Sequence, residues 1–389
     1  MLAVNIIGGG VIGSSIAYFT LSNPAFRGSV AVIERDPTYA RASSALSASS
    51  IRQQFSTPVN IAIGRYGIEF MRAVRRHLEV DGEAPDIGLV EPGYLFLASA
   101  AGANMLERNH AVQRAYGADV DLLAPAELAR RFPWLSIEGI ALGSHGVTGE
   151  GWFDGYSLMQ AFRRKARSLG ARYITAEATG FATSGGRVTA VRLADGSEIP
   201  CDIAVNAAGP WARRVARWVG IDLPVSARRR SVFVFQSPAT LARCPLVIDP
   251  SGVYFRPEGE GFICGVSPDA ANDPDEPPLE VEHRWFNEVI WPVLAARVPG
   301  FEALRQTHAW AGYYEMNTFD ANGIIGAHPA VANLLFANGF SGHGIQQSPA
   351  VGCGVAELIA HGGYRSLDLT PLSFERLLVG RPLIEANIV

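Results

Sequence analysis

The 389-residue chain contains no run of ~18 consecutive apolar residues, so no segment reads as a bilayer-spanning helix. Its opening residues carry no basic stretch, and glycines break their apolar character. They read as a first strand rather than a signal peptide. Strong positive charge is missing too. The net charge is −4, and the compact run Arg228–Arg229–Arg230 is too short for a nucleic-acid patch; it reads as a solvated loop or strand edge. Nucleic acid is therefore not an expected partner. The four cysteines, Cys201, Cys244, Cys264 and Cys353, form no CxxC pair. Neither a zinc site nor a redox pair follows, and free thiols in a reducing cytoplasm are expected. The histidines show no metal-ligand spacing, and no Ser–His–Asp arrangement emerges. The chain also has no internal repeat and no second GxGxxG.

What is present begins at Gly8. Residues 4–7 read as a buried strand, Gly8–Gly9–Gly10–Val11–Ile12–Gly13 as a tight turn, and residues 14–21 as the helix that follows. Gly8 permits the turn, Gly10 lets backbone approach a pyrophosphate, and Gly13 lets helix and strand pack closely. The first helical N–H groups, Val11 and Ile12 among them, then face the phosphates. A second strand over 30–33 ends in Glu34, where a carboxylate accepts hydrogen bonds from an adenosine ribose. Glu34 disfavours a 2′-phosphate, which leaves NAD and FAD. Arg35 beside it either stacks on adenine, braces the pyrophosphate, or sits in solvent at a strand end.

At this length two domains are the natural expectation. Periodicity predicts helices over 61–76, 107–116, 156–169, 282–297 and 348–361, with strands over 94–98, 172–178, 188–193, 199–206, 230–236, 252–256, 261–266, 307–315 and 334–337. Residues 269–282, acidic and proline-rich, read as a solvated loop. Nucleotide-fold segments thus fall at both ends and in the middle. The expected class is α/β with an α+β second domain. A discontinuous Rossmann-like domain takes 1–80, 146–220 and 306–389; a substrate domain built on an antiparallel sheet takes 81–145 and 221–305.

A second glycine-rich turn decides between the dinucleotides. Asn338–Gly339–Phe340–Ser341–Gly342–His343–Gly344–Ile345–Gln346 opens a long helix, whose N-terminus suits the negative charge that develops at flavin N1 and C2=O on reduction. Two cradles, one near each chain end, suit extended FAD better than NAD. With one nucleotide fold and no second fingerprint, electrons are expected from an organic substrate.

These segments together resemble the D-amino-acid oxidase (DAO) superfamily of FAD enzymes, on the glycine oxidase, sarcosine oxidase and dimethylglycine dehydrogenase branch. The likeness covers the first glycine turn with Glu34, the serine-rich stretch 42–55, Asn206–Ala207–Ala208–Gly209–Pro210–Trp211, Trp310–Ala311–Gly312–Tyr313–Tyr314–Glu315 and the second turn. From Arg228 to the closing Asn387–Ile388–Val389 it is similar to a mitochondrial branch whose members assist respiratory complex I assembly. The resemblance implies a glutathione-reductase type of FAD-binding domain. It implies that Ser43, Ser44 and Ser47 contact the pyrophosphate and that Ser50 and Ile51 pass near the flavin ring. Ala178 would meet the adenine through its backbone. Ala208, Gly209, Trp211 and Gly312 would border the cofactor, and the turn from Gly342 through His343, Gly344 and Ile345 to Gln346 would hold the pyrimidine end. Relatives that attach flavin covalently use a histidine in the first loop or a cysteine at the position of Tyr313. Here no histidine precedes His77, so FAD is expected to be non-covalent. The lysine that promotes oxygen use in sarcosine oxidases corresponds to Ile263, and a carboxylate-binding lysine to Gln346, which leaves Arg52 as the matched carboxylate ligand.

Amine oxidation by flavin asks the protein for a neutral amine, a C–H aimed at N5 and a fixed carboxylate. Arg52 suits the last task through its forked donors, unless it serves an internal ion pair. Tyr254 and Tyr313 either close the pocket or pack as core, and Tyr314 faces away if Tyr313 faces in. His343 bonds flavin or substrate, or packs structurally; Arg256 is a weaker candidate. The expected activity is FAD-dependent oxidation of the CH–NH bond of a small amino acid, glycine-like, N-alkylated or of D configuration, with oxygen or a quinone or carrier protein as acceptor. The alternative is an FAD-retaining assembly or scaffold protein. A homo-oligomer is left open.

Overall fold

The computed structural model describes residues 1–385, so the Asn387–Ile388–Val389 motif lies outside the described residues. A six-stranded sheet is ordered Ile324–His328, Val331–Asn338, Ile203–Asn206, Leu2–Ile7, Gly28–Glu34, Arg172–Thr175. Its strands run parallel except at the first pair, which forms a hairpin. Leu2–Ile7 sits inside this sheet and is apolar throughout except for Asn5, as a strand covered on both faces should be. Helix Val11–Ser22 packs between Gly155–Ser168 and Gly344–His361. Contact with the last helix is close: a Cβ on Gly352 would overlap Ser15, whose hydroxyl donates to the Ser348 carbonyl at 2.7 Å. A three-stranded antiparallel sheet, Glu198–Pro200, Arg187–Leu193 and Ala178–Ser184, flanks this layer.

The second sheet has eight strands, ordered Arg305–Asn317, Val225–Gln236, Gly261–Gly265, Tyr254–Glu258, Leu246–Ile248, Tyr94–Ala98, Leu142–Gly146, Val120–Leu123. It is antiparallel but for one join, Leu246–Ile248 beside Tyr94–Ala98, where the chain re-enters the sheet after a long excursion. The strand Arg305–Asn317, which the spacing groups with the first domain, hydrogen-bonds here to Val225–Gln236 at the edge of this sheet. An aromatic core with Phe233, Phe235, Phe255, Phe262 and Phe301 lies under it.

Several elements differ from the periodicity. The expected strand 172–178 divides into Arg172–Thr175 and Ala178–Ser184, and 199–206 into Glu198–Pro200 and Ile203–Asn206. The expected helix 282–297 is shorter: a π-helical turn, Phe286–Ile290, runs into helix Trp291–Arg297, where Pro292 occupies a first-turn position that needs no N–H. The helix expected over 61–76 begins earlier, at Pro58, and breaks at Ala73.

Candidate functional site

Gly8 leaves the first strand with φ +100°, and a Cβ there would overlap the Ala207 carbonyl oxygen. A Cβ on Gly13 would overlap the Gly8 carbonyl oxygen in the same way. Both positions require glycine for backbone approach, as the fingerprint demands. Gly10 begins the helix without a side-chain cap of its own, and the Ser44 hydroxyl instead accepts the Val11 N–H at 3.0 Å. Glu34 accepts from Gly9 N at 2.8 Å and Asp36 N at 2.9 Å, one on each oxygen. Each carboxylate oxygen keeps further acceptor capacity for a ribose diol.

A cleft of about 540 Å³ runs from this turn along the carboxyl ends of the parallel strands. Gly8, Gly10, Val11 and Ile12 line one end with Glu34 and Arg35. Ser43, Ser44 and Ser47 form one wall, Ala178 and its neighbours Ala176 and Glu177 another. Ala208, Gly209 and Trp211 follow, and the far end is made by Gly312, Gly342, Gly344 and Ile345. Gly13 lies outside the lining, in the helix–strand contact just described. Arg35 is exposed, and its guanidinium stacks on the Trp211 indole, 4.0 Å from the ring centre, a contact that is none of its three expected alternatives.

Tyr254, Tyr313 and Tyr314 all line the cleft, together with Arg230 and Val232. That corrects the expectation that Tyr314 points away. Four consecutive residues of the edge strand Arg305–Asn317, Gly312 to Glu315, line the cleft. The Tyr314 ring lies against Gly342, where a Cβ would overlap it, and Tyr313 donates to the Pro277 carbonyl. Tyr254 reaches Gly265, its hydroxyl 2.7 Å from where a Cβ would sit.

The basic run, expected as a solvated loop or strand edge, is corrected, whereas residues 269–282 form the largely exposed loop expected of them and also pair with that run. Arg228–Arg229–Arg230 lies within the strand Val225–Gln236, and residues 269–282 strap across it. Arg228 donates to the Asp273 carbonyl, Arg229 to Glu282 at 2.7 Å, and Arg230 to the Asp273 carboxylate at 2.7 and 2.9 Å. On the other rim Glu276 accepts from the Trp211 indole at 3.2 Å and from Arg214 at 2.5 and 2.6 Å. Opposite charges 43 to 62 residues apart thus find each other only in the fold.

Ser50, Ile51, Arg52, His343 and Gln346 do not line the cleft; they form a layer beside it that is buried apart from the half-buried Ser50. Ser50 accepts from the Tyr94 hydroxyl, and Ser50–Ile51 pairs with Gly151–Trp152. The Arg52 guanidinium donates to the Gln54 carbonyl and lies 2.9 Å from His343 Nε2, with its face 4.2 Å from the Phe55 ring centre. Burial, then the neighbouring Arg52 charge, holds His343 well below the usual histidine range. The imidazole is therefore neutral and accepts at Nε2. Gln346 accepts the Arg52 N–H at 2.9 Å. Beneath them Glu150 accepts from Gln53 N at 2.6 Å and Gln54 N at 3.0 Å; burial pushes its carboxyl up to about 7. Arg256 spends its Nη2 on the Ala48 carbonyl at 2.6 Å, bracing the serine-rich loop.

Glu315 was missed. It lines the cleft beyond Tyr314 and accepts from Gly339 N at 3.2 Å, and burial pushes it up to about 8. Its only signal was its place beside the tyrosine pair.

The family model described as FAD dependent oxidoreductase matches residues 3–358. The chain belongs to the DAO family. This DAO chain is 46% identical to the FAD-dependent oxidoreductase domain-containing protein 1 of Xenopus laevis, over 99% of its own length and 84% of that protein's. Glycine oxidase of Geobacillus kaustophilus is 29% identical, with 96% of each chain covered. Among solved structures, L-proline dehydrogenase from P. horikoshii superposes with a TM-score of 0.85 at 26% identity, covering 98% of this chain and 99% of that one. FAD is the family's cofactor, and the cleft fits it: two glycine cradles that a Cβ would fill lie at its two ends, with an acid placed for a ribose at the first. No helix among the described residues is long and apolar enough to cross a membrane.

Proposed function

We propose that this DAO-family oxidoreductase oxidises the CH–NH bond of a small amino acid, glycine-like, N-alkylated or of D configuration. The observation that carries the reading is one cleft that joins the dinucleotide cradle to a tyrosine- and arginine-lined end beside the second glycine turn. When bound, FAD supplies the hydride acceptor, N5. Ser43, Ser44 and the Gly8–Gly13 turn would hold its pyrophosphate, Glu34 its ribose, Ala178 its adenine, and the Gly342–Gly344–Ile345 backbone its pyrimidine end. Tyr254 and Tyr314 close the substrate end, exclude water, and offer hydroxyls to a carboxylate or amine. The neutral His343 and Gln346 fix Arg52 and so stiffen the layer behind them. The imine product hydrolyses to an oxo acid or aldehyde plus amine, with electrons passing on to oxygen, a quinone or a carrier protein. Relatives named as glycine oxidase and L-proline dehydrogenase support this reaction class.

Anaerobic addition of glycine, sarcosine, other N-alkyl and D-amino acids should bleach the visible flavin band for at least one of them. A panel that leaves the band unchanged overturns the reading and favours the scaffold role. Reoxidation in air then separates oxidase from dehydrogenase. Neither cysteine nor histidine lines the cleft among the described residues, which supports non-covalent FAD. Acid precipitation should leave all the flavin in the supernatant; yellow pellet would contradict this.

A further inference from the structure

Arg230 is nine-tenths buried on the substrate side of the cleft, its guanidinium carbon 5.1 Å from the centre of the Tyr314 ring. A guanidinium has five N–H donors in a fixed plane. Nη1 uses both of its own, on the Arg229 carbonyl at 2.7 Å and on Asp273 Oδ1 at 2.7 Å. Nη2 uses one, on Asp273 Oδ2 at 2.9 Å. Nε is buried and has no hydrogen-bond partner among the described residues. The two remaining donors, Nε–H and the second Nη2–H, lie on the same edge of the plane. They are parallel and spaced to match the two oxygens of a carboxylate. An orphaned buried donor of this kind is unfavourable unless a ligand satisfies it.

We infer that Arg230 is the carboxylate-binding residue of the substrate site: its Nε–Nη2 edge takes the substrate carboxylate while Asp273, on the strap, grips the opposite end. Asp273 is then a positioning residue. It fixes the guanidinium plane, and its charge offsets that of Arg230 while the site is empty of substrate. Arg52 does not compete for this role. Its guanidinium lies in the buried layer outside the cleft lining, engaged with Gln54 and His343. The neighbours of Arg230 fit the same task, since Tyr254 and Tyr314 line the cleft with it and provide hydroxyls for the outer face of a bound carboxylate. The inference deepens the amino-acid reading and rests on it for the identity of the ligand, but the recognition it describes needs no turnover.

The test uses the FAD-loaded protein and two unreactive probes of one shape, benzoate and the uncharged benzamide, titrated against the flavin spectrum. Wild type should bind benzoate more tightly than benzamide. Arg230→Met should weaken benzoate about 100-fold and leave benzamide unchanged. Arg230→Lys keeps the charge but loses the two-pronged geometry, and should weaken benzoate about 10-fold. Asp273→Asn should cost several-fold by loosening the plane, again for benzoate alone. Equal benzoate affinity in wild type and Arg230→Lys overturns the inference, and that variant decides the matter should Arg230→Met fail to fold. A loss shared equally by both probes overturns it too, because it marks a structural effect. If amino acids bleach the flavin with the same half-saturation in Arg230→Lys as in wild type, this inference fails and the proposed function stands. If benzoate binds through Arg230 and no amino acid bleaches the flavin, the function fails and the carboxylate site stands.

Discussion

Gly8→Ala is expected to yield protein that retains no FAD and unfolds at a markedly lower temperature. Two costs act together. The first is the backbone: φ at Gly8 is +100°, which disfavours any side chain by roughly 1–2 kcal/mol. The second is contact, because the added methyl would occupy the position of the Ala207 carbonyl oxygen. Neither partner can yield easily. Gly8 donates its N–H to the Ile33 carbonyl at 2.9 Å, and Ala207 donates to Ile7 O at 2.9 Å, so both are tied into the central strands. Gly170→Ala separates the two costs, since Gly170 has φ +101° and nothing within 4 Å of its Cβ position. That variant should lose only the conformational part and keep its flavin. The ratio of visible to ultraviolet absorbance reports cofactor content, and thermal unfolding reports stability. Full flavin content in Gly8→Ala would refute the assignment of this turn to the cofactor.

Glu315→Gln should make the protein more stable at pH 9 while changing little at pH 5. The Glu315 carboxyl is pushed up to about 8 by burial, above the ordinary 4.5, and the Gly339 and Phe340 N–H groups only partly offset this. The folded state therefore binds this proton more tightly than the unfolded chain does. Its contribution is complete below about pH 4.5 and is lost progressively as pH rises through 8. A glutamine cannot ionise, so the variant escapes that loss, on the order of a few kcal/mol. Glu150 acts in the same sense, but its rise to about 7 ends its share of the slope earlier. The interval between the two values belongs mainly to Glu315. Unfolding curves at fixed excess FAD across pH 5–9 would show it. Parallel wild-type and variant profiles would mean that Glu315 is ionised in the folded protein at neutral pH.

The cofactor half of the site was legible because its constraints are local. Gly8, Gly10 and Gly13 act within one turn, and Glu34 ends the strand that pairs with the first. The substrate half was obscured by distance along the chain. Arg230 looks solvated until residue 273, on a loop with no periodicity of its own, supplies its carboxylate. The expectation for Tyr314 fails because alternation along a strand says which way a side chain points but not that consecutive residues of an edge strand can both border one cavity. Short strands such as Leu246–Ile248 and Val120–Leu123 escaped detection because three or four residues hold too little of a pattern. The Arg52 resemblance gave a residue type suited to a carboxylate. Only the packing shows that its donors are turned toward His343 and Gln54.

The arrangement of the six-stranded sheet also sets a schedule. Leu2–Ile7 precedes the other strands of this sheet along the chain, yet its inner neighbour is Ile203–Asn206, and Val331–Asn338 must add to that strand before the second glycine turn has a place to stand. The nascent chain thus carries half a cofactor cradle through most of its synthesis, with apolar Val4 and Ile6 awaiting partners some 200 residues away. The complete flavin cleft therefore depends on closure of the whole sheet rather than on its first βαβ unit alone.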